Sequence, residues 1–156
     1  MISYREWTTE DAGGLRQMVG ALHESMRPYD VNYPPASAII ADYFDFLQGE
    51  VADTAGTFLL AEDEGRLLGF ACVFGLMAPF TPDEDPAKFT FVSDLYVDPA
   101  YQRQGIGSAL LQRAEAYGLA LGAPRIELAV HAANAALEIY THLGYQQRLI
   151  IMSKRL

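Results

Sequence analysis

Residues 101–111 read YQRQGIGSALL, with Gly105 and Gly107 one residue apart between a polar run and an amphipathic pattern. Glycine costs about 1 kcal/mol relative to alanine inside a helix. Two of them where a helix begins point to a backbone that turns sharply or is approached closely. Three phosphate-binding designs use glycines this way. A P-loop needs Lys and then Ser or Thr directly after its last glycine, but Ser108 and Ala109 follow Gly107. A dinucleotide-binding turn needs a third glycine and a turn tight against its strand. Leu110 stands in the glycine's place, and seven residues separate Val97 from Gly105. Glu127 stands where that design has its acidic ribose contact, so the option is weakened by the missing glycine and long loop without being removed. The third design is a strand, a loop and a helix whose first-turn amides face an anion unaided by side chains. Gly105 and Gly107 would keep β-carbons out of such a site.

The sequence around the turn supplies those elements. FTFVSDLYV, residues 89–97, is rich in aromatic and β-branched residues and reads as the strand. Ile106, Leu110, Ala114, Tyr117 and Leu121 form the stripe of the helix, which Gly122 and Pro124 end. RIELAV, residues 125–130, is a further strand. Asn134 caps a helix carrying Leu137, Tyr140 and Leu143 before Gly144, and the tail QQRLIIMSKRL should add one or two strands.

Upstream, ISYREW (2–7) is a short strand, and Thr8 or Thr9 caps a helix with Ala12, Leu15, Val19, Leu22 and Met26 on its apolar face. RPYDVNYPP is a loop closed by two prolines. Ala36, Ile39, Ile40, Tyr43, Phe44 and Leu47 define a second helix, for which Gly49 is the expected stop. TFLLAE and LLGFACVFGLM flank DEGR as a hairpin. The order β α α β β β α β α β predicts an α/β fold, one mixed sheet with helices on its faces, as a single domain over 1–156.

The 156 residues are 51% hydrophobic, enough for a packed core. Cys72 is the only cysteine, so neither an intrachain disulfide nor a thiolate metal site is expected, and its plain reading is a small buried hydrophobe. MISYREW lacks a signal-peptide core, and the longest apolar run, LLGFACVFGLMAPF, is too short to span a bilayer. A soluble, cytoplasmic chain without membrane partners follows as an expectation. The net charge of −9 argues against nucleic acid. Residues 1–98 carry 5 basic and 17 acidic side chains, whereas residues 99–156 carry 6 basic and 3 acidic. A chain so divided can hold two ligands of opposite charge; the plain alternative is a solubilising acidic surface.

LYVDPAYQRQGIGSALL, followed by NAALEIYTHLGY, resembles the GCN5-related N-acetyltransferases (GNAT). The motif matches run from about Asp94 to Tyr145, inside a cofactor-binding core of about 89–145. Gln102, Gly105 and Gly107 meet the family signature. The resemblance implies a mostly antiparallel sheet splayed centrally, with acetyl-CoA as cosubstrate wedged into the V. Its pyrophosphate would rest on amides from Arg103 through Gln104, Gly105, Ile106 and Gly107 to Ser108. Backbone groups along Leu95, Tyr96 and Val97 would pair with the pantetheine arm. Asn134 and Tyr140 match the later motif, with Leu137 where alanine is usual and Tyr145 where Phe is common. Arg103 is either a phosphate contact or a solvated loop cation.

Acetyl transfer to an amine needs a deprotonated nitrogen, a polarised carbonyl and a proton for the leaving thiolate. A primary amine has a pKa near 10.4, so a base must take its proton. Direct attack needs no covalent intermediate. The Val97 N–H is the candidate carbonyl donor, and by the resemblance Tyr140 is the acid. Asp94 is a candidate base or a structural carboxylate, although strict alternation sets it on the face opposite Ser93. Glu24 and Asp30 are candidate contacts for a cationic substrate. His131 reads by default as a solvated loop residue. The expected partner is a small amine such as a polyamine, an aminoglycoside or an amino-acid-like compound. Protein N-termini or lysines, and a non-catalytic acyl-CoA-binding module, are the alternatives; a homodimer is compatible with all of them.

Overall fold

The computed structural model describes residues 1–156. Its strands are β1 (Ser3–Glu6), β2 (Thr57–Asp63), β3 (Arg66–Met77), β4 (Phe89–Val97) and β5 (Ile126–Leu128). Its helices are α1 (Ala12–Met26), α2 (Ala36–Asp53), α3 (Ile106–Ala120) and α4 (Ala136–His142). The strands lie in the order β1-β2-β3-β4-β5. The first four run antiparallel, and β5 joins β4 in parallel. The result is the expected mixed, mostly antiparallel sheet.

Helices cover both faces, which explains the uninterrupted apolar run of β3. Phe70, Cys72 and Phe74 meet Leu15 and Val19 of α1 and Phe44, Leu47 and Val51 of α2. Leu68, Ala71 and Val73 point the other way, against Ile106, Leu110, Leu111 and Ala114 of α3. A strand buried on both sides has no polar alternation to show. The DEGR hairpin forms as expected: Glu64 and Gly65 take φ of 49° and 80°, and Asp63 pairs with Arg66.

Two boundaries differ from the sequence expectation. Gly49 does not end α2, because Val51 is only 7% exposed and its burial draws the helix on for another turn. Thr54 closes that turn, donating from N and Oγ1 to the Glu50 carbonyl at 3.0 and 2.7 Å. The tail forms no strand: residues 145–156 are irregular, and Ile151 and Met152 are each 88% exposed. β5 stops at Leu128, short of the expected Val130, and offers only three residues to pair. The start of the tail is held by side chains instead. Tyr145 Oη donates to Glu115 at 3.0 Å, and Arg148 reaches Glu127 at 2.8 Å.

Candidate functional site

β4 pairs with β5 only at Thr90–Ile126, Phe91–Glu127 and Val92–Leu128. From Ser93 onward its outer edge is open, and the sheet splits into a V. Asp98 N–H donates to the Leu68 carbonyl on the β3 side at 2.8 Å. Because backbone direction alternates along a strand, Val97 and Leu95 turn their N–H and C=O groups into the gap. The Val97 carbonyl accepts from Gln102 Nε2 at 3.0 Å, which ties the following loop to the strand end. Tyr96 points its backbone the other way, and its ring packs 6.3 Å from Phe70.

The helix that follows begins at the mouth of this gap. Arg103 and Gly105 sit at φ of 64° and 81°, the left-handed region, and Ile106 begins α3. Ile106 is 1% exposed, so its side chain anchors the helix start in the core. The amides of Ile106, Gly107 and Ser108 are first-turn donors without intrahelical partners. A Cβ at Gly107 would meet only Val97 Cγ2, at 3.7 Å, and one at Gly105 would meet nothing within 4 Å. The Gly105–Gly107 turn and the open strand edge therefore lie side by side, and the bare amides of the turn leave room for an anion. Gln104 is exposed in the same turn.

A β-bulge corrects the expected alternation. Cys72 pairs with Asp94 but Val73 pairs with Val92, so Ser93 has no partner on β3. Phe91 and Tyr96, an odd number apart, consequently face the same core, while Val92, Leu95 and Val97 face the other. The bulge turns Asp94 under α2, where its carboxylate is 8% exposed. Tyr43 Oη lies 3.1 Å from both Asp94 oxygens, and Ser93 Oγ donates to the same carboxylate. Burial raises the Asp94 pKa, against the pull of those hydrogen bonds and of His23. Cys72, fully buried beside it, has its thiol pKa pushed well up, chiefly by desolvation.

On the other side of the V stands α4. Ala135, not Asn134, is the N-cap of α4; Asn134 Oδ1 accepts from Ala136 N–H at 2.9 Å one residue ahead of it, and its Nδ2 lies 3.8 Å from Met26 Sδ of α1. The Tyr140 ring packs edge-on to Tyr145 at 6.1 Å. Burial raises the Tyr140 pKa, with no charged neighbour contributing.

The acidic candidates of the N-terminal half separate. Glu24 is spent on structure: its Oε1 accepts from the first amide of α2, Ala36, at 2.6 Å, and its Oε2 pairs with Arg27 at 3.1 Å. Asp30 turns its Oδ1 to the N–H and Nδ2 of Asn32, inside the α1–α2 loop. His131 is a half-buried loop residue rather than a freely solvated one; its Nε2 lies 3.1 Å from Tyr33 Oη. In the sequence, Tyr43 stands on the apolar face of a helix and Tyr33 in a loop, and neither position marks a site. Their signal was weak: a tyrosine on an apolar face, and an aromatic-rich loop ahead of two prolines. The groove between α1 and α2, lined by Gly13, Arg16, Gly20 and Ser37, contains none of the candidate site residues. No group of three His, Cys, Asp or Glu side chains is placed to hold a metal ion. No helix is long and apolar enough to cross a membrane.

Comparison with known proteins gives the same picture. Residues 19–145 match the model of the acetyltransferase (GNAT) family. An S-alkylcysteine N-acetyltransferase of Bacillus subtilis (strain 168) is 26% identical over 147 residues, covering 92% of this chain and 78% of that protein. The crystal structure of a GCN5-related N-acetyltransferase from Ralstonia eutropha JMP134 superposes with a TM-score of 0.78 at 22% identity, over 100% of this chain and 99% of its own. An aminoglycoside N-acetyltransferase solved with CoA superposes with a TM-score of 0.73 at 19% identity, over 100% and 96%.

Proposed function

The chain belongs to the GNAT acetyltransferase family, and on that footing we propose that it moves an acetyl group from acetyl-CoA directly to the nitrogen of a small cationic amine. The observation that carries this reading is the open half of β4, whose Leu95 and Val97 backbone groups face a gap that ends at the bare amides of α3. A pantetheine arm can pair with the former while a pyrophosphate rests on the latter. Gln102 holds the loop, Arg103 adds a cation at its rim, and Asn134 braces the start of the helix that carries Tyr140 by accepting from Ala136 N–H. The S-alkylcysteine relative supports a small amine as acceptor.

Bound acetyl-CoA supplies a thioester whose acetyl carbon accepts the amine nitrogen: an N–C bond forms, the C–S bond breaks, and the products are an acetamide and the free thiol. The Val97 N–H points into the gap and serves as the donor to the carbonyl oxygen. Asp94 is the candidate base, and the Ser93 hydroxyl, which donates to its carboxylate, would relay the amine proton to it. Tyr140 supplies the proton that the departing sulfur needs. The buried Cys72, its thiol kept protonated by desolvation, supports direct attack over an acetylated cysteine.

The test is release of free thiol from acetyl-CoA across a panel of polyamines, aminoglycosides and amino-acid-like amines. Amine-dependent release, matched mole for mole by N-acetyl product, is the expected result. CoA binding with no release above hydrolysis on any amine would leave a binding module.

A further inference from the structure

We propose that Tyr33 and His131 form a side-chain bridge that closes the acceptor end of the V and restricts the site to compact amines; this rests on the acetyltransferase reading above. Tyr33 belongs to the loop between α1 and α2, and His131 follows β5, so their 3.1 Å contact spans the two arms of the splayed sheet. The bridge is buttressed on both sides. His23 of α1 stacks on the Tyr33 ring at 5.3 Å and 8°, and its Nε2 donates to the Pro34 carbonyl at 2.7 Å. Tyr29 stacks on His131 at 6.2 Å and 24°. Met26 and Asn134 make a second crossing at 3.8 Å.

Four rings from three chain segments thus converge where nothing in the fold requires them to meet. Two of them feel the Asp94 charge: it helps to raise the Tyr33 pKa, behind burial and Asp30, and His23 acts on Asp94 in turn. Aromatic faces beside buried and loop carboxylates suit a single ammonium head. A roof tied at both ends leaves no open channel for a long chain or for a lysine presented by a folded protein. Tyr33 and His131 are positioning residues here, since they act by holding the loop over the site.

Substitutions that break only the bridge test this. Tyr33→Phe keeps the stack on His23 and removes the hydroxyl; His131→Ala removes the partner; His131→Gln retains a side chain that can donate or accept. Each is assayed with butylamine, spermine and a short lysine-containing peptide, and by hydrogen exchange of residues 27–35. In Tyr33→Phe and His131→Ala we expect the KM for butylamine to rise at least about tenfold with a smaller change in kcat, and the preference over spermine and peptide to shrink. Loop exchange should quicken at least about tenfold, the KM for acetyl-CoA should hold, and His131→Gln should stay near wild type. Unchanged loop exchange, or a loosened loop with unchanged amine preference, overturns the proposal. A wild-type chain that acetylates no amine contradicts the proposed function instead, and the exchange data still decide whether the bridge holds the loop.

Discussion

Tyr140 shows how a burial shift bears on chemistry. An ordinary phenol titrates near 10 and a thiol near 8.5, so complete proton transfer to a free thiolate is uphill by about 2 kcal/mol. Burial raises the Tyr140 pKa further, which widens that gap but keeps the proton in place throughout the neutral range. Its useful action is a hydrogen bond to sulfur as charge develops, completed when the bond breaks. Tyr140→Phe keeps the ring and its packing on Tyr145, so the variant should fold and bind CoA normally. Its acetyl-transfer step should slow at least about tenfold, read in a single turnover so that product release cannot mask the loss. A second residue-scale expectation concerns Asp11. Arg5 grips its carboxylate through two 2.7 Å contacts and holds its pKa down to about 2. A pKa below the unfolded value of about 3.9 stabilises the fold above about pH 4, and the contribution is lost as pH falls through about 2. Asp11→Asn should therefore be less stable at pH 7 and show a flatter decline between about pH 4 and pH 2 in urea titrations.

Among the elements, α3 does two jobs with two glycines. At its start, a Cβ on Gly107 fits beside Val97, so Gly107→Val should fold. A branched side chain would nonetheless fill the space above the first-turn amides, and CoA binding by calorimetry should be lost. Wild-type affinity in the folded variant would refute the phosphate turn. Near its end, Gly118 lets α3 press on β4: a Cβ there would lie 2.3 Å from Thr90 Oγ1, which donates to the buried Gly75 carbonyl at 2.8 Å. Gly118→Ala forces that pair apart and should cost about 1–3 kcal/mol in denaturant unfolding. The turn at Gly105–Gly107 was legible because its spacing is local. Gly118 was not, since its reason is a threonine on another strand. The continuation of α2 past Gly49 was hidden likewise, because a helix stop reads locally while Val51 answers to the core. The unpaired tail is the opposite case: its apolar, β-branched run has strand character, yet three residues of β5 offer little to pair with.

Taken as a whole molecule, the strands and helices were readable from periodicity because each buries one face, or both, against a single sheet. The strand edge and helix start proposed for the cofactor were readable as elements too, lying in one continuous run from Leu95 to Ser108. The acceptor side was not. As proposed, it draws on two contacts between separate segments, Tyr33 with His131 and Tyr43 with Asp94, and a bulge at Ser93 reverses the facing that alternation predicts. No local pattern encodes such a meeting. The V that joins the two sides is the premise of the whole mechanism, and residue-resolved amide exchange with and without acetyl-CoA tests it most directly. The amides of Leu95 and Val97, open to the gap, and of Ile106, Gly107 and Ser108 should become protected when acetyl-CoA is added. Those of Tyr96 and Asp98, directed at β3, should change little. Protection that misses Leu95 and Val97, or that falls on residues away from β4 and the start of α3, would contradict the account.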